Sequence, residues 1–166
     1  MRATSRWITL ALAAMTALVP GVPVMAQPRD EPGRACAAAD LVGTWDMQGM
    51  SVDKSETVDP ANTWYFKYQR FVFGQDGTVK HLASSKPLPA SDLKALGAMP
   101  ATSKWKVDQR GYLSIQPPGS AKPQDSLCSF LLRDMPGPTA PRRGDVLLSY
   151  MRDSRPYVQK LLRKTP

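Results

Sequence analysis

In Leu41-Val42-Gly43-Thr44-Trp45-Asp46-Met47-Gln48, the residues Leu41, Gly43, Trp45 and Met47 share one parity; Val42, Thr44, Asp46 and Gln48 share the other. Successive side chains of a strand point to opposite faces, so this pattern predicts a strand with one buried face. The same alternation recurs downstream. Trp105 and Val107 alternate with Lys104, Lys106 and Asp108, and Leu113 and Ile115 alternate with Ser114 and Gln116. Trp64 to Phe73 reads as a longer strand whose aromatic parity slips, from Trp64, Phe66 and Tyr68 to Phe71 and Phe73. An extra residue near Gln69 and Arg70 would restore one inward face, which predicts a bulge there.

Further strands are expected over Thr78–Ala83, Ser126–Arg133, Asp145–Met151 and Tyr157–Leu162. The chain has 16 prolines, and none falls inside these eight segments. Proline removes a ladder donor, so its confinement to the gaps supports the boundaries. Gly74–Gly77, Asp108–Gly111 and Asp153–Pro156 have compact-turn chemistry. One short helix is expected over Asp92–Leu96, capped by Ser91 and stopped at Gly97. The fold expected is all-β: an eight-stranded antiparallel up-and-down barrel over residues 40–164, with that helix in a loop. Along such a path the connections Gly49–Thr63, Ser84–Ser103 and Pro117–Asp125 share one loop-rich end. The other end is tight, apart from the Pro-rich connection Met135–Gly144.

Upstream of the barrel, Arg2 and Arg6 precede an apolar run from Trp7 to Val19, then Pro20, Gly21, Pro23 and Val24-Met25-Ala26. That is the pattern of a signal peptide cleaved after Ala26, with residues 27–39 left as a proline-rich leader. The expected location is periplasmic or secreted. In an oxidising compartment the two cysteines of the 166-residue chain, Cys36 and Cys128, are expected to form one disulfide.

The full chain carries a formal charge of +8. Arg142, Arg143, Arg152, Arg155, Lys160, Arg163 and Lys164 crowd its end against Asp145 and Asp153. Nucleic acid is a poor partner for an exported chain. An acidic protein, an anionic membrane surface or an anionic head group suits the charge better, beside the plain role of a solvated face.

Gly43-Thr44-Trp45, opening the first strand, resembles the glycine-x-tryptophan motif of lipocalins, a motif that avidin-like barrels share in part. The resemblance implies that Arg163, at the end of the last strand, packs over Trp45. It also implies a small apolar or amphipathic ligand held in the barrel. Met47, Trp64, Phe66, Trp105, Tyr150 and Tyr157 fall near the loop-rich end of the expected path. Aromatic and methionine linings suit apolar ligands, and Arg152 and Arg155 could meet an acidic head group.

No cofactor motif is present, and no catalytic set suggests an enzyme. His81 is the single histidine, and no Gly-x-Ser-x-Gly elbow accompanies it. Ser51/Lys54 and Ser91/Lys94 match a Ser-x-x-Lys spacing without its companion motifs. Met47, Met50 and His81 are soft-metal donors too few to predict a copper site. The alternative to a ligand carrier is a protein-binding envelope accessory or inhibitor with a filled core. It would use the Met135–Pro141 loop or the basic C-terminal strands as its contact surface.

Overall fold

The computed structural model describes residues 31–100 and 103–165. The expected signal peptide and the first residues of the leader lie outside the described residues. Nine strands form one sheet: β1 (Gly33–Ala35), β2 (Gly43–Val52), β3 (Tyr68–Phe73), β4 (Thr78–Ser84), β5 (Ser103–Val107), β6 (Tyr112–Gln116), β7 (Gln124–Leu131), β8 (Val146–Arg152) and β9 (Arg155–Lys164). β2 to β9 pair antiparallel in chain order, and β9 returns to β2, closing an eight-stranded barrel. β1 adds a short ninth strand on β7. A helical turn, α1 (Ala38–Leu41), precedes the barrel, and α2 (Ser91–Ala98) lies between β4 and β5.

The base of the barrel is a packed core. Leu41, Trp45, Phe73, Val79, Leu113, Val146 and Leu162 are buried there, and Trp45 donates its indole N–H to the Leu41 carbonyl at 2.6 Å. Gly43 sits at φ +126, a conformation that side-chain-bearing residues rarely adopt, so the glycine is required by the backbone. Gly111 is similar: at φ +80, its Cβ would meet Ala35 Cβ at 2.9 Å and the Cys128 carbonyl at 3.0 Å. That close approach lets the β5–β6 hairpin sit against the Cys36–Cys128 disulfide, which is formed.

Several local expectations are corrected. β3 and β4 pair in continuous register from Tyr68↔Ser84 to Phe73↔Val79, so there is no bulge at Gln69 and Arg70. The parity slip arises because Trp64 and Phe66 are not in the strand. Thr63–Tyr65 is a 3-10 turn, its first free N–H (Trp64) capped by Asn62 Oδ1 at 2.9 Å. The register does shift in β2 between Met47 and Gly49, and at the β8–β9 hairpin between Tyr150 and Met151. Pro156 lies inside β9 beside that second shift. α2 runs through Gly97 and is preceded by Ala90, with no side-chain cap from Ser91.

One connection departs from the expected arrangement in a way that shapes the barrel. Residues 85–100 leave the loop-rich end but do not stay there. Arg70 Nη1 donates to the Pro89 carbonyl at 3.2 Å, and Lys80 Nζ to the Gly97 carbonyl at 2.5 Å. Both side chains point outward, so α2 descends the outer face of β3 and β4. β5 then starts beside the foot of β4. Among the described residues the β4–β5 ladder holds two pairs, Thr78↔Lys104 and Val79↔Ser103.

Bidentate ion pairs fasten the outside, among them Arg34 on Asp40 at 2.6 and 2.7 Å. Arg70 grips Asp46 across β2 and β3 at 2.5 and 2.9 Å. Arg163 grips Asp145 at 2.9 and 2.7 Å, and Asp145 Oδ2 also accepts the Arg142 backbone N–H at 2.8 Å. The Asp145 side chain is 3% exposed. Asp145→Asn should lower stability by about 2 kcal/mol, because the carboxylate's loss leaves a half-buried guanidinium unpaired. A urea midpoint that does not fall would show that the pair adds nothing net.

Candidate ligand-binding site at the loop-rich end

The inner face of the upper barrel follows from strand parity. On β3, Gln69 shares parity with Phe71 and Phe73; on β9, Lys160 shares parity with Val158 and Leu162. All six are buried. Lys160 is therefore an inward lysine, set between Met50 of β2 and Leu148 of β8. Its Nζ donates to Gln69 Oε1 at 2.9 Å and to the Trp64 carbonyl at 3.0 Å, and lies 3.5 Å from the centre of the Trp64 ring. Among the described residues no carboxylate forms an ion pair with it. Burial alone pushes its pKa down to about 7.

Gln69 is the hub of this cluster. Its amide N–H₂ donates to the carbonyls of Trp64 and Phe66, at 2.9 and 2.8 Å, and so holds the 3-10 turn over the barrel mouth. Its Oε1 also lies 3.3 Å from His81 Nε2. His81 faces inward opposite Phe71, stacked on that ring at 4.3 Å, and yet its side chain is exposed. Solvent reaches it where β4, above Val79, has no strand on its far side among the described residues. Protein still surrounds the ring on most sides. Poor hydration of the charged form, and then the positive charge of Lys160, push its pKa down to about 4. His81 is thus neutral at physiological pH. Tyr150 is buried at the same level, edge-on to Trp64 with ring centres 4.7 Å apart, and burial raises its pKa.

The residues expected to form the site divide into three groups. Trp64 and Tyr150 meet in the upper interior beside Lys160. Phe66, half-buried, follows the turn and contributes its carbonyl to Gln69. Arg152, Arg155 and Tyr157 gather on the rim around a depression of about 400 Å³, shared with Asp53, Ser55 and Glu56. There the Arg152 guanidinium lies 4.5 Å over the Tyr157 ring and is paired with Glu56. Arg152 and Arg155, expected to meet an acidic head group, thus share this depression with the acidic side chains of Asp53 and Glu56. Met47 and Trp105 lie elsewhere. Met47 is buried core opposite Leu162. Trp105 is at the tight end, its indole N–H donated to the Gly74 carbonyl at 3.2 Å and its ring edge-on to Phe73. It was displaced from the mouth by the low entry of β5.

At the base, the expected Arg163–Trp45 contact is replaced. Arg163 is on the outer face with Asp145, and Lys164 Nζ stands 5.8 Å from the Trp45 ring centre. Lys164 shares the inward parity of Lys160 and Leu162, which Arg163 does not. A groove of about 490 Å³ opens here, lined by Trp45, Phe130, Arg142, Arg143, Arg163 and Lys164 among others. Among the described residues no group of three or more His, Cys, Asp or Glu could hold a metal ion, and no helix is long and apolar enough to cross a membrane.

Lys160, Gln69 and His81 are not among the residues expected from the sequence to line a ligand site. In the sequence Lys160 falls in the basic run, and its parity with Val158 and Leu162 marks it as inward. No protein-family model, curated protein or solved structure matches the chain.

Proposed function

We propose that this protein is an exported, lipocalin-like barrel that binds a small apolar or amphipathic molecule at its loop-rich end. The observation that carries the reading is His81: a side chain on the inner face of the barrel, stacked on a core phenylalanine, that solvent still reaches. A core filled for stability alone would close over such a ring. Around Lys160, which shares the Gln69 amide oxygen with His81, stand Trp64, Tyr150 and Met50, the mix of aromatic and flexible side chains that fits apolar guests. The turn that covers them is joined to the barrel through polar contacts to Gln69 and Lys160, which a guest can exchange. The disulfide suits an oxidising compartment, in keeping with cleavage after Ala26.

Native mass spectrometry of protein purified from the cell envelope tests this directly. A mass excess that disappears on denaturation supports a carrier; a bare chain that leaves its tryptophan emission unchanged by apolar probes refutes it. Trp64→Ala should weaken probe binding at least about tenfold, since an aromatic wall of the site is lost. Unchanged affinity would remove Trp64 from the site.

A second reading has its own observation. The basic groove at the base places Arg142, Arg143 and Lys164 around Trp45 and Phe130, a surface suited to an acidic protein or an anionic membrane. Salt-sensitive capture of an envelope partner by the wild type, lost in an Arg142→Glu, Arg143→Glu variant, would favour it.

A further inference from the structure

We propose that the guest of the upper barrel carries a single carboxylate head, which pairs with Lys160 Nζ by displacing the Trp64 carbonyl. This rests on the ligand-binding reading and names the chemistry of the ligand's polar end. The three N–H bonds of the Lys160 ammonium are directed to an amide oxygen, a peptide carbonyl and an indole face. Each supplies only partial negative charge. The groups that face Nζ from the other elements are also neutral: Gln69 of β3, His81 of β4, Met50 of β2, Leu148 and Tyr150 of β8. A fully buried ammonium without a counter-ion is costly, and a guest carboxylate supplies what the chain omits.

The geometry sets the head group's size and charge. Among the described residues one buried cation, Lys160, faces the interior at this level, which matches a monoanion. Arg152, a rim candidate for a second charge, is engaged by Glu56. Nζ and His81 Nε2 approach the same Gln69 oxygen, at 2.9 and 3.3 Å. A carboxylate inserted beside that oxygen can accept from the ammonium with one oxygen and from the neutral imidazole N–H with the other. The group it displaces is a carbonyl of the 53–67 connection, whose 3-10 turn is three residues long. The tail of the guest would then lie against Trp64, Tyr150 and Met50.

The test uses a matched pair of probes, dodecanoate and dodecan-1-ol, titrated into the wild-type protein, Lys160→Met and Lys160→Arg at about pH 6, where the lysine is charged. Binding is read by calorimetry and tryptophan emission, after a cooperative melt has shown each variant folded. The wild type should bind dodecanoate about tenfold or more tighter than the alcohol, Lys160→Arg should keep a preference, and Lys160→Met should bind the two alike. Equal affinities in the wild type, or a preference retained in Lys160→Met, would overturn the carboxylate assignment while leaving the barrel a ligand binder. Binding of neither probe by any of the three would overturn both.

Discussion

Lys160→Met should raise the free energy of unfolding at pH 7 by about 2 kcal/mol and flatten its dependence on pH. In the unfolded chain this lysine titrates near its ordinary value, about 10.4. In the barrel it titrates at about 7. Between those values the unfolded state holds one more proton than the native state, so stability rises with pH across the window, by up to about 1.4 kcal/mol per unit. The contribution is fully present above the unfolded value and lost as pH falls through about 7. His81 adds a second window of the same sign lower down, between its ordinary value and about 4. Tyr150, with its pKa raised by burial, acts oppositely only where unfolded tyrosine ionises, above about pH 10. The range from about pH 7.5 to 9.5 therefore isolates the lysine.

Methionine removes the charge and keeps much of the length. It leaves the Trp64 carbonyl and one side of Gln69 without a donor, a loss of about 1–3 kcal/mol that offsets part of the gain. Urea melts of both proteins at three pH values across the window would measure the slope. A wild-type slope near zero, or a Lys160→Met protein less stable than the wild type, would show that the ammonium is well compensated where it sits.

The second large effect is expected from the disulfide. Cys36 and Cys128 are separated by 92 residues, so in the unfolded state the bond closes a loop that holds β2 to β6 and the first part of β7 and leaves β8 and β9 outside. In the chain-entropy account, its removal costs on the order of 4 kcal/mol, equivalent to a melting temperature lower by about 10 °C. The comparison is Cys36→Ser, Cys128→Ser against the oxidised wild type. Both cysteines are buried against the base of the core, and Cys36 N–H bonds the Cys128 carbonyl at 3.0 Å, so the double serine variant also loses packing. Reduction of the wild type without substitution separates the two terms. A shift below about 2 °C on reduction would place the stabilisation in packing instead of the crosslink.

The strands were legible because alternation is a local property, and each of the eight expected segments overlaps one observed barrel strand. What failed depended on information that alternation does not contain. A bulge and a strand that starts late produce the same parity slip, and in Trp64–Phe73 the second cause operates. The bulge that does occur, between Met47 and Gly49, had a trace in the sequence: the apolar residues move from odd positions, Trp45 and Met47, to even ones, Met50 and Val52. Trp105 could not be placed from its own strand, since its height depends on the register between β4 and β5. The connection between them carries α2, which Arg70 and Lys80 hold against the outer face through the Pro89 and Gly97 carbonyls. Lys164, in contrast, could have been chosen over Arg163 by parity alone. Lys160 was readable in the same way, but a charged residue in a basic run reads as solvated surface unless its neighbours' parity is given precedence.

The pairing of β2 with β9 bears on how such a chain folds. This ladder joins the two ends of the barrel sequence, from Trp45↔Lys164 to Val52↔Val158, and with seven pairs it is as long as any in the sheet. Hairpins such as β3–β4 can form early, because little chain entropy is spent in closing a four-residue turn. The β2–β9 seam has to wait until the intervening strands have brought its partners within reach. One of the largest gains in backbone hydrogen bonding thus comes at the end of the pathway, when the circle shuts. Folding of this kind is slow by the standard of helical proteins and strongly all-or-none. A nascent chain lacking its last strand would present β2 and β8 as two unpaired edges, and would be vulnerable until Arg155–Lys164 is made.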